Sequence, residues 1–289
     1  MPSSLEETKF ILNKYKITAN KSLGQNFLID DEVINNIIKA SNINKEDLVI
    51  EIGPGLGTLT SKLLENAGKV IAIELDKKMI TILEDRFRLY NNFKLLNEDI
   101  LKVDLNKLIE ENKEKIKNVK IVANLPYYIT TPIIMKLLED RLNIDSITVM
   151  VQKEVADRIT AKPGNKLSGA ITYSVDYYAE AKEIVFVSKN SFIPAPEVDS
   201  EVIKLTIRDK AKVDLLSEDM FFKVIKASFM QRRKTLINGL LNSGIINDKE
   251  KIKEIFKEIG LEENIRGEKL TLQEFANLSN SIYKTISKN

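Results

Sequence analysis

The sequence predicts an α/β protein, a largely parallel sheet with helices on both faces, followed by a small domain of helices alone. Three observations carry this reading. Short β-rich runs alternate with amphipathic stretches as far as residue 207, the first run ends in a glycine-rich turn, and beyond residue 208 the strand pattern stops. Strand–helix–strand alternation of this kind requires crossover helices and gives parallel pairing.

In chain order the strands are LVIEI (48–52), KVIAIEL (69–75), FKLLN (93–97), KIVAN (120–124), SITVMV (146–151), EIVFV (183–187) and EVIKLTI (201–207). Helical patterns lie between most of them, for example TLTSKLLENA (58–67) and KKMITILEDRFRLY (77–90). After TIRDKAKVD come three helical stretches, DMFFKVIKASFMQRRKTLINGLL, DKEKIKEIFKEIG and TLQEFANLSNSIYKTI, with Thr271 and Glu274 spaced as a capping box at the start of the last. The predicted domains are therefore 1–208, with an N-terminal helical extension, and 209–289.

Composition narrows the chemistry. The 289-residue chain is 43% hydrophobic, enough for a sizeable core, and has no apolar run near the ~18 residues of a membrane span. The opening MPSSLEETKFILNKYKI is charged throughout and lacks a signal peptide's apolar stretch, and cysteine is absent, so a cytoplasmic protein without disulfides is expected. The absence of histidine removes the commonest general base and metal ligand, which disfavours serine-hydrolase triads and zinc chemistry; no metal site is predicted. Net charge is only +2, but residues 221–240 hold five basic residues and no acidic one. On its own, such a run is best read as a solvated helix face.

VIEIGPGLGTLT (49–60) sets Gly53, Gly55 and Gly57 between the first strand and its helix, where glycine lets a ligand approach the backbone and permits positive φ. A dinucleotide fingerprint would need a small residue at 58, where Thr58 stands; G-x-G-x-G is the spacing of S-adenosylmethionine (SAM) sites. Glu74, ending the second strand, is placed to accept from ribose hydroxyls, which fits NAD or SAM equally. Charge separates the two. Glu51, Glu74, Asp76 and Asp99 fall at or near strand ends and are expected to face one crevice, and no basic residue falls in the turn, so a sulfonium and an ammonium are favoured over a pyrophosphate. Asp99 reads equally as an acceptor for the cofactor's adenine and as a helix N-cap.

IVANLPYY (121–128) then acquires a role at the carboxyl edge of the sheet, where open α/β sheets bind ligands. The exocyclic amine of adenine is a poor nucleophile because its lone pair is delocalised. The Asn124 side-chain oxygen and the Leu125 carbonyl can hold both its N–H groups, Pro126 stiffens the backbone that aims them, and Tyr127 offers a face for a splayed-out base. In-line methyl transfer then depends on positioning and needs no histidine. In isolation, Asn-Leu-Pro would be only a turn and Tyr127 a core residue.

Taken together, KSLGQNFLID (21–30), EIGPGLGTLT, ELD (74–76), NEDIL, NLPYYITTPI (124–133), FIPAPEVDS (192–200) and FMQRRKTLINGL (229–240) match, in order and over nearly the whole chain, the small-subunit rRNA adenine dimethyltransferases. The resemblance implies a class I SAM-dependent methyltransferase fold, a Rossmann-like mixed sheet with a small C-terminal all-α, rRNA-binding domain. It implies dimethylation of two adjacent adenosines near the small-subunit rRNA 3′ end, coupled to small-subunit biogenesis, with a small-subunit particle as partner. It also implies that Asn26 and Leu28 lie over the cofactor, that Gly53 meets its amino-acid end, and that Glu74 takes the ribose and Asp99 the adenine. Asn124 would hold both cofactor and target, Phe192 would stack opposite Tyr127, and Arg232, Arg233 and Lys234 would contact rRNA phosphates. Phe192 by itself reads as readily as a core residue. One departure is Tyr128, where many relatives have asparagine. The rivals are a large-subunit methyltransferase of the macrolide-resistance type, a non-catalytic assembly factor and, more distantly, a nicotinamide oxidoreductase. KSLGQNFL, N-L-P and FMQRRKTL point away from the first, intact Glu74, Asp99, Asn124 and Tyr127 from the second, and glycine spacing from the third. No interface signal stands out, and a monomer is expected.

Overall fold

The computed structural model describes residues 3–20, 23–114, 116–231 and 233–287. Its strands are β1 (Phe27–Leu28), β2 (Asp47–Ile52), β3 (Lys69–Glu74), β4 (Phe93–Asn97), β5 (Asn118–Asn124), β6 (Ser146–Gln152), β7 (Ala179–Val187), β8 (Phe192–Ile193) and β9 (Ser200–Ile207). The seven expected strands form one sheet in the order β4-β3-β2-β5-β6-β9-β7. Pairing is parallel from β4 to β6, while β9 runs antiparallel to β6, so the sheet is mixed. The sequence reading lacked β1 and β8, which pair antiparallel as a separate ribbon with Phe27 opposite Ile193 and Leu28 opposite Phe192.

Every residue of β2 is buried, which is why a central parallel strand reads as a nearly unbroken apolar run. Its two charged residues meet different surroundings. Asp47, at the start, lies 2.6 Å from the Lys120 ammonium and accepts from Asn118 Nδ2 and the Asn44 N–H, each at 2.8 Å. Lys120 also donates to the Asn42 carbonyl at 2.5 Å. Burial pushes the Asp47 carboxyl up, but these bonds hold it below its ordinary value. Glu51, near the far end, belongs to the site.

Local signals set the helix ends. Helix Asp31–Ser41 is capped by Asp30, which accepts from Glu32 and Val33 N–H at 3.1 and 3.3 Å, and stops at left-handed Asn42. It packs on β6 and β9, while Lys77–Phe87 packs on β3 and β4. Ile34, Ile37, Leu63, Val70 and Leu83 are central to this core. No helix among the described residues is long and apolar enough to cross a membrane.

The chain forms two compact units, Met1–Ala156 with Ala181–Ile207, and Asp157–Glu180 with Arg208–Asn289. Residues 157–180 thus depart from the contiguous 1–208 domain expected from sequence. The cause is aromatic packing by helix Ala170–Tyr178. Tyr173, 0% exposed, meets the Phe275 ring edge-on at 4.7 Å and donates to the Leu270 carbonyl at 2.7 Å, and Tyr177 packs on Phe221.

The Thr271–Glu274 capping box is formed, with Thr271 N–H 2.7 Å from the Glu274 carboxylate. The single helix expected through residue 241 is two, Glu218–Met230 and Leu236–Ser243. They fold back on each other at Gly239, where a Cβ would lie 2.9 Å from the Ala227 carbonyl oxygen. Leu236 N–H turns away to the Ile265 carbonyl, 2.9 Å distant.

Candidate active site

At the carboxyl ends of β2, β3 and β5 lies an open cleft of about 1060 Å³ including its mouth. Its floor is the glycine turn. Gly53 and Gly55 have φ of +66° and +57°, and the nearest heavy atoms a Cβ would meet are Pro126 at 3.8 Å and the Phe27 ring at 3.4 Å. Both leave backbone open to a ligand. Gly57 differs: at φ +84°, its Cβ would fall 2.6 Å from Phe87 and 2.9 Å from Leu83, so it allows helix packing. From behind, the Arg86 guanidinium donates to the Leu56 carbonyl and pairs with Glu7 at 2.6 Å.

The cleft wall is acidic. Glu51, Glu74, Glu98 and Asp99 line it, and among the described residues no lysine or arginine does. Glu74 accepts the Gly55 N–H at 3.1 Å and the Asp76 N–H at 2.8 Å. Burial nevertheless raises its pKa. Glu51 is 1% exposed, and its Oε2 has no hydrogen-bond partner among the described residues. Burial, with the neighbouring Glu74 charge adding to it and Thr60 opposing, pushes this carboxyl up to about 8. Asp99 caps a turn through the Leu101 N–H at 3.0 Å and lines the cleft as well; the next helix, Leu105–Asn112, is capped by Asp104. Asp76 does not line the cleft as expected. Its carboxylate caps Lys77–Phe87 through the Lys78 N–H at 2.9 Å and takes Gln25 Nε2 at 2.8 Å, which fastens the N-terminal segment. Glu98 stands in the wall instead, a residue that the sequence reading did not single out.

Asn26 and Leu28 reach the cleft from the N-terminal side. Asn124 ends β5, and its Nδ2 donates to the Asn26 carbonyl at 3.3 Å. The other atom of the amide, Oδ1, forms no hydrogen bond among the described residues. Leu125 is 1% exposed and held by its N–H to the Met150 carbonyl at 3.2 Å. Pro126 leads into a 3-10 turn, Tyr127–Ile129, closed by the Ile129 N–H on the Pro126 carbonyl. Tyr127 is half-buried and lines the cleft. Tyr128, 57% exposed, stands at its mouth beside Gly24.

Two expectations part from the geometry. Phe192 is 3% exposed, packed in the core with Phe27 and Leu28, and is not part of the cleft lining. Arg233 and Lys234 do not ride a helix face. They are exposed in the turn between the two helices, shaped by the Lys234 N–H on the Gln231 carbonyl at 2.9 Å. Arg232 lies outside the described residues.

Open glycine backbone, a carboxylate at the end of β3 and an acidic wall fit a ribose-bearing cation better than a pyrophosphate. Fold and site together define a class I SAM-dependent methyltransferase. The chain matches the family described as ribosomal RNA adenine dimethylase over residues 16–284. It is 52% identical over 279 residues to the ribosomal RNA small subunit methyltransferase A of Lachnoclostridium phytofermentans, covering 96% of each chain. With the protein of that name from Oceanobacillus iheyensis it shares 49% over 283 residues, 97% of this chain and 96% of the relative. The crystal structure of a dimethyladenosine transferase from Plasmodium falciparum superposes with a TM-score of 0.72 at 28% identity, over 87% of this chain and 95% of the other. The chain belongs to the ribosomal RNA adenine dimethylase family.

Proposed function

We propose that the protein transfers two methyl groups in succession to the N6 amine of each of two adjacent adenosines near the 3′ end of small-subunit rRNA, acting on a small-subunit particle in the cytoplasm as a monomer. The observation that carries this is the Asn124 amide. With Nδ2 tied to the Asn26 carbonyl, Oδ1 is left as an acceptor beside the Leu125 backbone. The relatives' names, small-subunit methyltransferase and dimethyladenosine transferase, support the same substrate.

When bound, SAM supplies a methyl group made electrophilic by its sulfonium. Everything else is asked of the chain. Gly53 and Gly55 receive the amino-acid end, Glu74 the ribose hydroxyls and Asp99 the adenine amine, under Asn26 and Leu28. Asn124 Oδ1 and the Leu125 carbonyl accept both N–H groups of the target amine and draw its nitrogen toward tetrahedral geometry, which returns the lone pair to it. After one transfer a single N–H remains, and one acceptor suffices to present the nitrogen again. The proton leaves once the amine is positively charged, so positioning replaces a general base. Tyr127 stacks on the base, and Arg232, Arg233 and Lys234 hold phosphates.

The test incubates the protein and methyl-labelled SAM with small subunits lacking the modification, and with large subunits in parallel, followed by nucleoside mass spectrometry. Label in dimethyladenosine from small subunits alone is expected. Label in large subunits would make this a resistance-type enzyme, and particle binding without label a non-catalytic assembly factor.

A further inference from the structure

Ser200 opens β9 opposite Gln152, the last residue of β6, and is 0% exposed. Its Oγ lies 2.6 Å from the Tyr127 hydroxyl. Topology explains the meeting. β5 and β6 are parallel, so both end at the ligand edge of the sheet, at Asn124 and Gln152. β9 runs the other way and therefore begins there. A parallel strand in its place would carry its first residue to the opposite edge.

Tyr127 is thus held at both ends. Its backbone follows Pro126, at φ −60°, into the 3-10 turn, and the tip of its ring is bonded to a buried strand residue. Burial raises the phenol's pKa, against the effect of the Ser200 bond, so the group stays a neutral hydroxyl able to donate or accept. A ring fixed in this way loses no rotamer freedom when a base arrives.

Resting on the reading that Tyr127 stacks on the target adenine, we propose that Ser200 is a positioning residue for methyl transfer, its hydroxyl holding the Tyr127 ring in the plane against which the base stacks. The alternative is a buried hydroxyl pair that serves stability alone.

The experiment compares Ser200→Ala, Ser200→Thr, Tyr127→Phe, the Ser200→Ala/Tyr127→Phe double variant and Tyr127→Ala, using unmodified small subunits and methyl-labelled SAM. Turnover, KM for the particle, SAM affinity and Tm are measured for each. Ser200→Ala and Tyr127→Phe are each expected to lower kcat about tenfold while SAM affinity stays within about twofold. The double variant should be no slower than either single, because all three lack the same bond. Ser200→Thr, which keeps the hydroxyl, should recover most of kcat. A loss of Tm with kcat intact would overturn the proposal, as would losses that multiply to about a hundredfold in the double variant. If Ser200→Ala fails to fold, Tyr127→Phe reads the same bond from its other end. Tyr127→Ala separates the two layers of inference: full activity there removes the stacking reading itself, whereas an inactive Tyr127→Ala beside a fully active Ser200→Ala removes only the role of Ser200.

Discussion

Asp47 and Glu51 are buried carboxylates on the same strand, four residues apart, and the fold treats them in opposite ways. At the amino end of β2, Asp47 has an ammonium, an amide and a backbone N–H on its two oxygens. At the other end, Glu51 has an oxygen with no partner among the described residues and an acidic neighbour in Glu74. Burying a charge costs free energy unless bonds and counter-charge offset it. One end of the sheet compensates its ionised carboxylate, while the other keeps an acid that burial holds protonated to about pH 8. An acid left in that state beside an open cleft is suited to ionise against an incoming cation, whereas a paired one serves structure.

The contrast can be broken at its compensated end first. Lys120→Ala leaves Asp47 buried without its cation and should destabilise the protein by about 3–5 kcal/mol in urea unfolding at pH 7. Asn124→Ala tests the ligand end and should lower kcat by about 10²–10³-fold while unfolding at nearly the parent's urea midpoint, with SAM binding weakened but measurable. Full activity in that variant would remove the amine clamp.

Glu51→Gln gives a smaller and pH-dependent effect. Because the folded-state pKa of Glu51 is raised from 4.5 to about 8, the native state binds more protons than the unfolded chain between those values, and stability falls as pH rises through that window. Removing the carboxyl should raise Tm at pH 8 by about 2–4 °C, with the gain vanishing toward pH 4.5. A bound cation favours the ionised form, so SAM affinity should climb from pH 6 to pH 8 in the parent and climb less steeply in Glu51→Gln, where Glu74 remains, as calorimetry would show. Smallest of all, Arg233→Ala/Lys234→Ala should leave Tm unchanged and reduce the slope of log affinity for the particle against log salt by about one to two. An unchanged slope would return these residues to a solvated surface.

Much of this was legible in the sequence, for reasons that differ by element. LVIEI, KIVAN and SITVMV announce themselves because strands buried on both faces are apolar throughout. Gly53, Gly55, Glu74 and Asn124 are legible because their chemistry is bound to their place at strand ends. The ribbon of β1 and β8 is not legible: two residues show no period, and the partners stand at 27 and 193. The acid at 76 can cap a helix or face a ligand, and only the positions of Lys78 and Gln25 decide for the cap. The break after Met230 escapes notice because QRRKT contains neither glycine nor proline and the apolar spacing runs through it; Gly239, eight residues beyond Gln231, closes the fold-back. Likewise, AITYSVDYY gives no sign of which unit its tyrosines will join.

The pairing of Phe27 with Ile193 also has a consequence in time. Asn26, whose carbonyl orients the Asn124 amide, is fixed in place by a strand whose partner is synthesised only after the glycine turn and the whole NLPYY segment. The ribbon cannot form before residues 192 and 193 have been made. The segments of β2 to β6 are therefore all synthesised while the candidate site still lacks the pairing that holds Asn26, and the site can be completed only when the second strand of the ribbon has left the ribosome that is making it.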